Sequence, residues 1–228
     1  MEQLREIESW SRYHAVGLIL ALVTYLNTHQ LWILPLVSFV SFGYLLLTKR
    51  KLLLGEEYKI SRANMVTLGR HDLLMILVII STQIHHFYIG IIASFVALLD
   101  LLDGYYARKD QNSSLLGEYL DKEVDAIFVL MMSAMIYHFK LLPSWILVIG
   151  ILRFVYVLIL PFIKSSKKKE YKSRYGRVIA VILMIGMIGC FFIKYDFYLY
   201  IMMGISVLVV SSFIRALFHW TRNTASPS

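Results

Sequence analysis

Four carboxylates dominate the chemistry this sequence could perform. Asp100 and Asp103 stand three residues apart in D-L-L-D-G-Y-Y-A-R, and Asp121 and Asp125 stand four apart in G-E-Y-L-D-K-E-V-D. On helices these spacings put each pair on one face, so two such helices side by side would gather four acids. Carboxylates that close repel one another and resist leaving water, and a cluster of them stays ionised when cations lie between them. Hard oxygen donors, with no cysteine among them and no histidine at ligand spacing, favour Mg²⁺ or Mn²⁺ over Zn²⁺. Two such ions about 3.5–4 Å apart clamp a phosphate linkage on its attacking and leaving sides. The plainer reading makes these acids helix-end groups in surface salt bridges with Arg108, Lys109 and Lys122. Their place beside long apolar runs weighs against it, because acids at the edge of a membrane are costly and usually functional.

The elements that must position these acids are apolar. Of 228 residues, 58% are hydrophobic, and the runs are too long for one soluble core. The expected fold is all-α, a polytopic membrane helix bundle. Spans are expected at 12–27, 31–47, 65–82, 87–106, 115–138, 143–163, 178–194 and 197–218. The first two make an N-terminal transmembrane hairpin within residues 1–48, with Asn27-Thr28-His29-Gln30 as its turn. Residues 49–63 read as a cytoplasmic linker or as an amphipathic helix lying on the membrane surface. Residues 64–228 hold six spans, the expected catalytic core.

The net charge of +8 is distributed as lipid, rather than nucleic acid, would require. Lys49, Arg50, Lys51, Lys59 and Arg62 follow the second span, Arg108 and Lys109 the fourth, and Lys164 to Arg177 the sixth, whereas the opposite loops carry only Lys140 and Lys194. By the positive-inside rule the basic loops, both termini and the acids face the cytoplasm. Met1 to Trp10 carries both signs of charge with no A-x-A-like site after it, so no removable signal peptide is expected. The single cysteine, Cys190, lies in an apolar run and reads as packing. Trp10, Tyr44, Trp145 and Trp220, near span ends, read as an interfacial aromatic belt. His85 and His86 fall at the loop opposite the acids and read as interfacial anchors. His71-Asp72 lies near the cytoplasmic end, where the orientation of one helical turn decides whether it meets the acids.

Asp100, Asp103, Gly104, Ala107, Arg108, Gly117, Asp121 and Asp125 resemble, in identity and spacing, the signature of the CDP-alcohol phosphatidyltransferase family. Eight typed positions make chance agreement far rarer than for a short glycine motif. The resemblance extends from about Asn64 to the C-terminal helix and leaves the first sixty or so residues unexplained. It implies an enzyme of phospholipid biosynthesis that uses two divalent cations, Mg²⁺ or Mn²⁺. Asp100, Asp103 and Asp121 would be direct metal ligands, and Asp125 would contact the second ion and act as general base. Gly104, Ala107 and Gly117 would leave room for cytidine, Arg108 would grip a phosphate through its planar fork, and Ser114 would offer a hydroxyl to the nucleotide. Asn64, Thr67 and Arg70 resemble the N-x-x-T-x-x-R run of many relatives. Their spacing places them on one helical stripe, to contact the CDP moiety, support the acids or meet the acceptor; a helix cap and a snorkelling arginine are the structural alternative. A homodimer is a further implication of the family.

Arg153 stands near the middle of an apolar run, where an unpaired charge costs at least about 2.5–3.5 kcal/mol. It is expected to face the bundle interior, there to bind an anionic acceptor or to pair with an acid. Arg177, at the end of the basic loop, is the other candidate for the acceptor, although the loop also serves topology and anionic headgroups. The leading functional expectation is transfer of a phosphatidyl group from CDP-diacylglycerol to a small hydroxyl acceptor with release of CMP. Donation from CDP-choline or CDP-ethanolamine to diacylglycerol is one alternative, and a non-enzymatic membrane transporter is another.

Overall fold

The computed structural model describes residues 2–48, 62–109, 115–163, 174–193 and 195–224, and among them the regular structure is helical. The α-helices are α1 (Glu2–Thr28), α2 (Ile33–Thr48), α3 (Arg62–Ile80), α4 (His86–Lys109), α5 (Leu115–His138), α6 (Ile146–Ile163), α7 (Arg174–Gly189) and α8 (Tyr195–Thr224), with a short 3₁₀ turn at Ser81–Gln83. The expected linker or surface helix lies almost wholly outside the described residues, as does most of the basic stretch before Arg174.

Helix α5 is the axis of the fold, packing against α1, α3, α6 and α7. From Ala126 to Ile136 every side chain except Val129 is buried, the pattern of a helix apolar all round and enclosed by others. Helix α6 comes especially close to it. A Cβ on Gly150 would stand 2.8 Å from Ser133 Oγ and 3.3 Å from Leu130 Cα, so glycine is what allows this approach. After α5 the chain turns sharply at Lys140, whose φ is 55°. There Lys140 N–H donates to the Tyr137 carbonyl at 3.0 Å and Leu141 N–H to the Ile136 carbonyl at 2.9 Å, closing the helix with a left-handed cap.

Helix α3 is wedged between α4 and α5 and also touches α2; α7 and α8 pack together, α7 reaching α4 and α5, and α8 reaching α6. The N-terminal hairpin closes on this core, with α1 against α5 and α6. Helix α1 begins at Glu2 rather than near residue 12, which changes the setting of Trp10. Its ring is buried against His14 and Phe42, and its Nε1–H donates to the Ser41 carbonyl at 3.1 Å. Trp10 is therefore a core residue of the hairpin, not a member of an interfacial belt; Tyr44, by contrast, is exposed.

Asn64–Gln83 and Asp196–Phe218 are long and apolar enough to cross a membrane, and Ile33–Thr48, His86–Asp100, Ile146–Phe162 and Tyr175–Gly189 are shorter apolar helices. Large apolar side chains such as Val40, Phe95, Ile185, Phe197 and Val207 stand exposed along them. A surface of that kind is matched by hydrocarbon. Cys190 is a buried thiol in the turn after α7.

Candidate active site

Three neighbouring helices meet at Arg70. Its side chain, 1% exposed, reaches from α3 to both neighbours: Nη1 donates to Asp100 Oδ1 on α4 at 2.6 Å and to Asp121 Oδ1 on α5 at 3.4 Å, and Nη2 donates to Asp125 Oδ1 at 2.7 Å. A rigid guanidinium fork suits this bridging because its donors point in fixed, divergent directions. The spacing that put Asp121 and Asp125 on one face of α5 delivers both to the same cation. One oxygen from each of Asp100, Asp121 and Asp125 lies within 4.8 Å of the others. The three carboxylates are 32–43% exposed, so the cluster is backed by protein and open in front.

This donor set fits a divalent metal. It is all oxygen and its members converge, the arrangement that hard dications take. Asp103 follows Asp100 on α4, but its side chain, those of Ala107 and Arg108 and the surroundings of Gly104 lie outside the described residues, as does Ser114. Gly117 sits half-buried in the first turn of α5. Asn64 and Thr67 are buried on α3 in the turns preceding Arg70.

Beside the acids a cleft of about 910 Å³ opens between α5, α6, α7 and α8, with Asp121 and Asp125 in one wall and Lys122, Arg153, Arg177 and Arg215 around it. Two of these cations lie over aromatic faces, Arg153 at 5.7 Å from the Tyr156 ring and Arg215 at 5.1 Å from the Tyr175 ring, contacts that hold a guanidinium in place without neutralising it. Arg153 thus faces inward, and it shares the cleft with Arg177. Arg70 does not line it. Sequence reasoning overlooked Arg215 and read Lys122 only as a surface salt-bridge partner of the acids. The signal for Arg215 was the one used for Arg153, a cation set in an apolar run; Lys122 gave none beyond its adjacency to Asp121.

His71 follows Arg70, and a step of about 100° around the helix turns it away from the acids. Its Nε2 lies 2.9 Å from Ser38 Oγ on α2, its Nδ1 2.9 Å from Asp72 Oδ1, and its ring stacks on Phe42 at 4.0 Å. His86 packs against Phe139 and lies about 21 Å along α4 from Asp100, at ~1.5 Å rise per residue.

Residues 60–213 match the family model described as CDP-alcohol phosphatidyltransferase. No curated protein and no solved structure matches the chain. The family match covers well over half of the sequence, and the chain belongs to that family. It is a phosphotransferase of CDP-alcohol-dependent phospholipid synthesis and, with these apolar helices, an integral membrane protein.

Proposed function

From that membership we propose that the enzyme transfers a phosphatidyl group from CDP-diacylglycerol to a small hydroxyl compound that itself carries negative charge, releasing CMP. The observation that carries this reading is the cleft, where Lys122, Arg153, Arg177 and Arg215 surround a space walled on one side by Asp121 and Asp125. An anionic acceptor would be drawn to the cations and brought against the acids, which no neutral alcohol requires.

Asp125 belongs to both places, joining the Arg70-linked acids and lining the cleft. In the proposed reaction its carboxylate takes the proton of the acceptor hydroxyl. The freed oxygen bonds to the lipid-bearing phosphorus, and the bond from that phosphorus to the CMP oxygen breaks, CMP leaving with the electron pair. Two divalent cations, Mg²⁺ or Mn²⁺, held by Asp100, Asp121, Asp125 and, from the family resemblance, Asp103, would neutralise charge on the pyrophosphate. Asn64, Thr67, Gly104, Ala107, Arg108, Ser114 and Gly117 are assigned to the nucleotide. Arg153 and Arg177, joined by Arg215 and Lys122, are assigned to the acceptor. Arg70 is assigned to the acids, since it is buried against them. The alternation of basic loops supports a cytoplasmic site, and homodimerisation belongs to the same reading.

Purified protein offered CDP-diacylglycerol with glycerol 3-phosphate, inositol phosphate or serine, and CDP-choline or CDP-ethanolamine with diacylglycerol, tests this through CMP release. A phosphorylated acceptor should be preferred. Turnover of serine alone would remove the acceptor assignment, and turnover of the headgroup nucleotides alone would reverse the donor.

A further inference from the structure

The two helices that carry Arg70 and the Asp121/Asp125 pair are each held on another face by the N-terminal hairpin. On α5, Glu123 is two residues from Asp121 and two from Asp125, about 160° around the helix from each, so it points away from the acids. It is 1% exposed, and Ser11 Oγ of α1 donates to its Oε1 at 2.6 Å. One turn earlier, Tyr119 OH donates to Glu8 Oε1 of α1 at 3.3 Å. On α3, Ser38 of α2 meets His71, the residue after Arg70. The Asp72 carboxylate can only accept, which puts the proton on Nδ1 and, in the neutral ring, leaves Nε2 to accept from Ser38 Oγ.

Serine, histidine and aspartate thus stand in the order of a nucleophilic relay, but Ser38 is fully buried, so no substrate reaches its oxygen. What the contacts do is fix register. A buried carboxylate or imidazole loses its partner if its helix rotates or slides by one residue, and that loss is expensive away from water. Each contact therefore selects one rotation of α3 or α5, and that rotation is the one in which Arg70, Asp121 and Asp125 converge.

We propose that the α1–α2 hairpin is a positioning element for the acid cluster, acting through Ser11–Glu123 on α5 and Ser38–His71 on α3. The proposal rests on the metal-binding reading of that cluster. It accounts for a segment that lies outside residues 60–213 yet sends polar side chains into the core.

The test is Mn²⁺ binding to the detergent-solubilised full chain, read by electron paramagnetic resonance, together with the Mg²⁺ midpoint for CMP release. The double variant Ser11→Ala/His71→Phe keeps the stack on Phe42 and removes both polar grips; although neither residue touches a ligand, loosening both ligand-bearing helices should raise both midpoints by about 10-fold, the lower end of what losing a direct partner of a ligand costs. Glu123→Gln still accepts from Ser11 and should keep the wild-type midpoint. Trp10→Phe, which loosens the hairpin without touching either grip, should lower the melting temperature and leave the midpoints alone. Unchanged midpoints in the double variant would overturn the proposal. Should that variant not fold, Ser11→Ala and Ser38→Ala singly decide the matter by the same criterion. Asp125→Asn separates the two readings: Mn²⁺ binding that survives it refutes the metal site itself, whereas binding lost there but unaltered in the hairpin variants refutes only the positioning role.

Discussion

Helix α5 shows two opposite faces of one segment solving different problems. In front, Asp121 and Asp125 are partly exposed, share one arginine and border a cleft lined by cations. Behind, Glu123 is sealed from solvent against a serine of α1. The front is open to what arrives from outside; the back is closed, with Glu123 Oε1 held by Ser11. In the proposed reading, the contrast separates residues that act on substrate from residues that decide where the former stand.

The sharpest way to break the contrast is to remove Arg70, the side chain through which, among the described residues, α3, α4 and α5 meet at the acids. Arg70→Met leaves three converging carboxylates without their internal cation, and breaking a buried charge pair on one side costs about 3–5 kcal/mol. A large fall in melting temperature is expected in chelator. Because Mn²⁺ would then supply the missing positive charge, the rise in melting temperature on adding it should exceed that of the wild type. A variant stabilised by Mn²⁺ no more than wild type would mean that arginine and metal do not draw on the same oxygens.

A smaller effect is expected in the cleft. If Arg177 and Arg215 bind the acceptor as proposed, Arg177→Ala or Arg215→Ala removes one charged partner from it, a loss of about 1.5–3 kcal/mol. This should appear as a higher KM for the anionic acceptor, with KM for the CDP-lipid unmoved. A fall in kcat at unchanged acceptor KM would put these arginines in the transition state instead and blur the division between binding wall and reacting wall.

The front face was the legible part of the sequence. Asp100, Asp121 and Asp125 announce themselves by spacing, since a period of 3.6 residues converts i, i+4 into one face without knowledge of the fold, and α5 occupies the expected 115–138. The back face was not legible. Ser11 and Glu123 are 112 residues apart, and periodicity says which way a side chain points but not which helix it meets. His71 was undecided for the same reason, and Arg70 on its neighbouring position turned to the acids rather than to the cleft. Trp10 was misread because an aromatic near a span end is equally suited to a membrane interface and to a helix junction; the extension of α1 back to Glu2 decided in favour of the junction.

The mildest perturbation lies deepest in the hairpin. His14 is 1% exposed and stacked on Trp10 at 5.3 Å, with Phe42 and Phe154 presenting their edges at 5.5 and 6.3 Å. Among the described residues, neither of its ring nitrogens has a hydrogen-bond partner. A buried polar group left unmatched costs about 1–3 kcal/mol, while an apolar group of similar shape removes that penalty. His14→Phe should therefore raise the melting temperature modestly and leave both the Mn²⁺ midpoint and CMP release as they were, because His14 contacts neither Glu123 nor the acids in any hydrogen bond. Loss of stability in this variant would show that the imidazole is satisfied by water inside the hairpin. Loss of metal affinity at unchanged stability would place His14 among the groups that set the register of α5, widening the supporting face at the expense of the distinction drawn above.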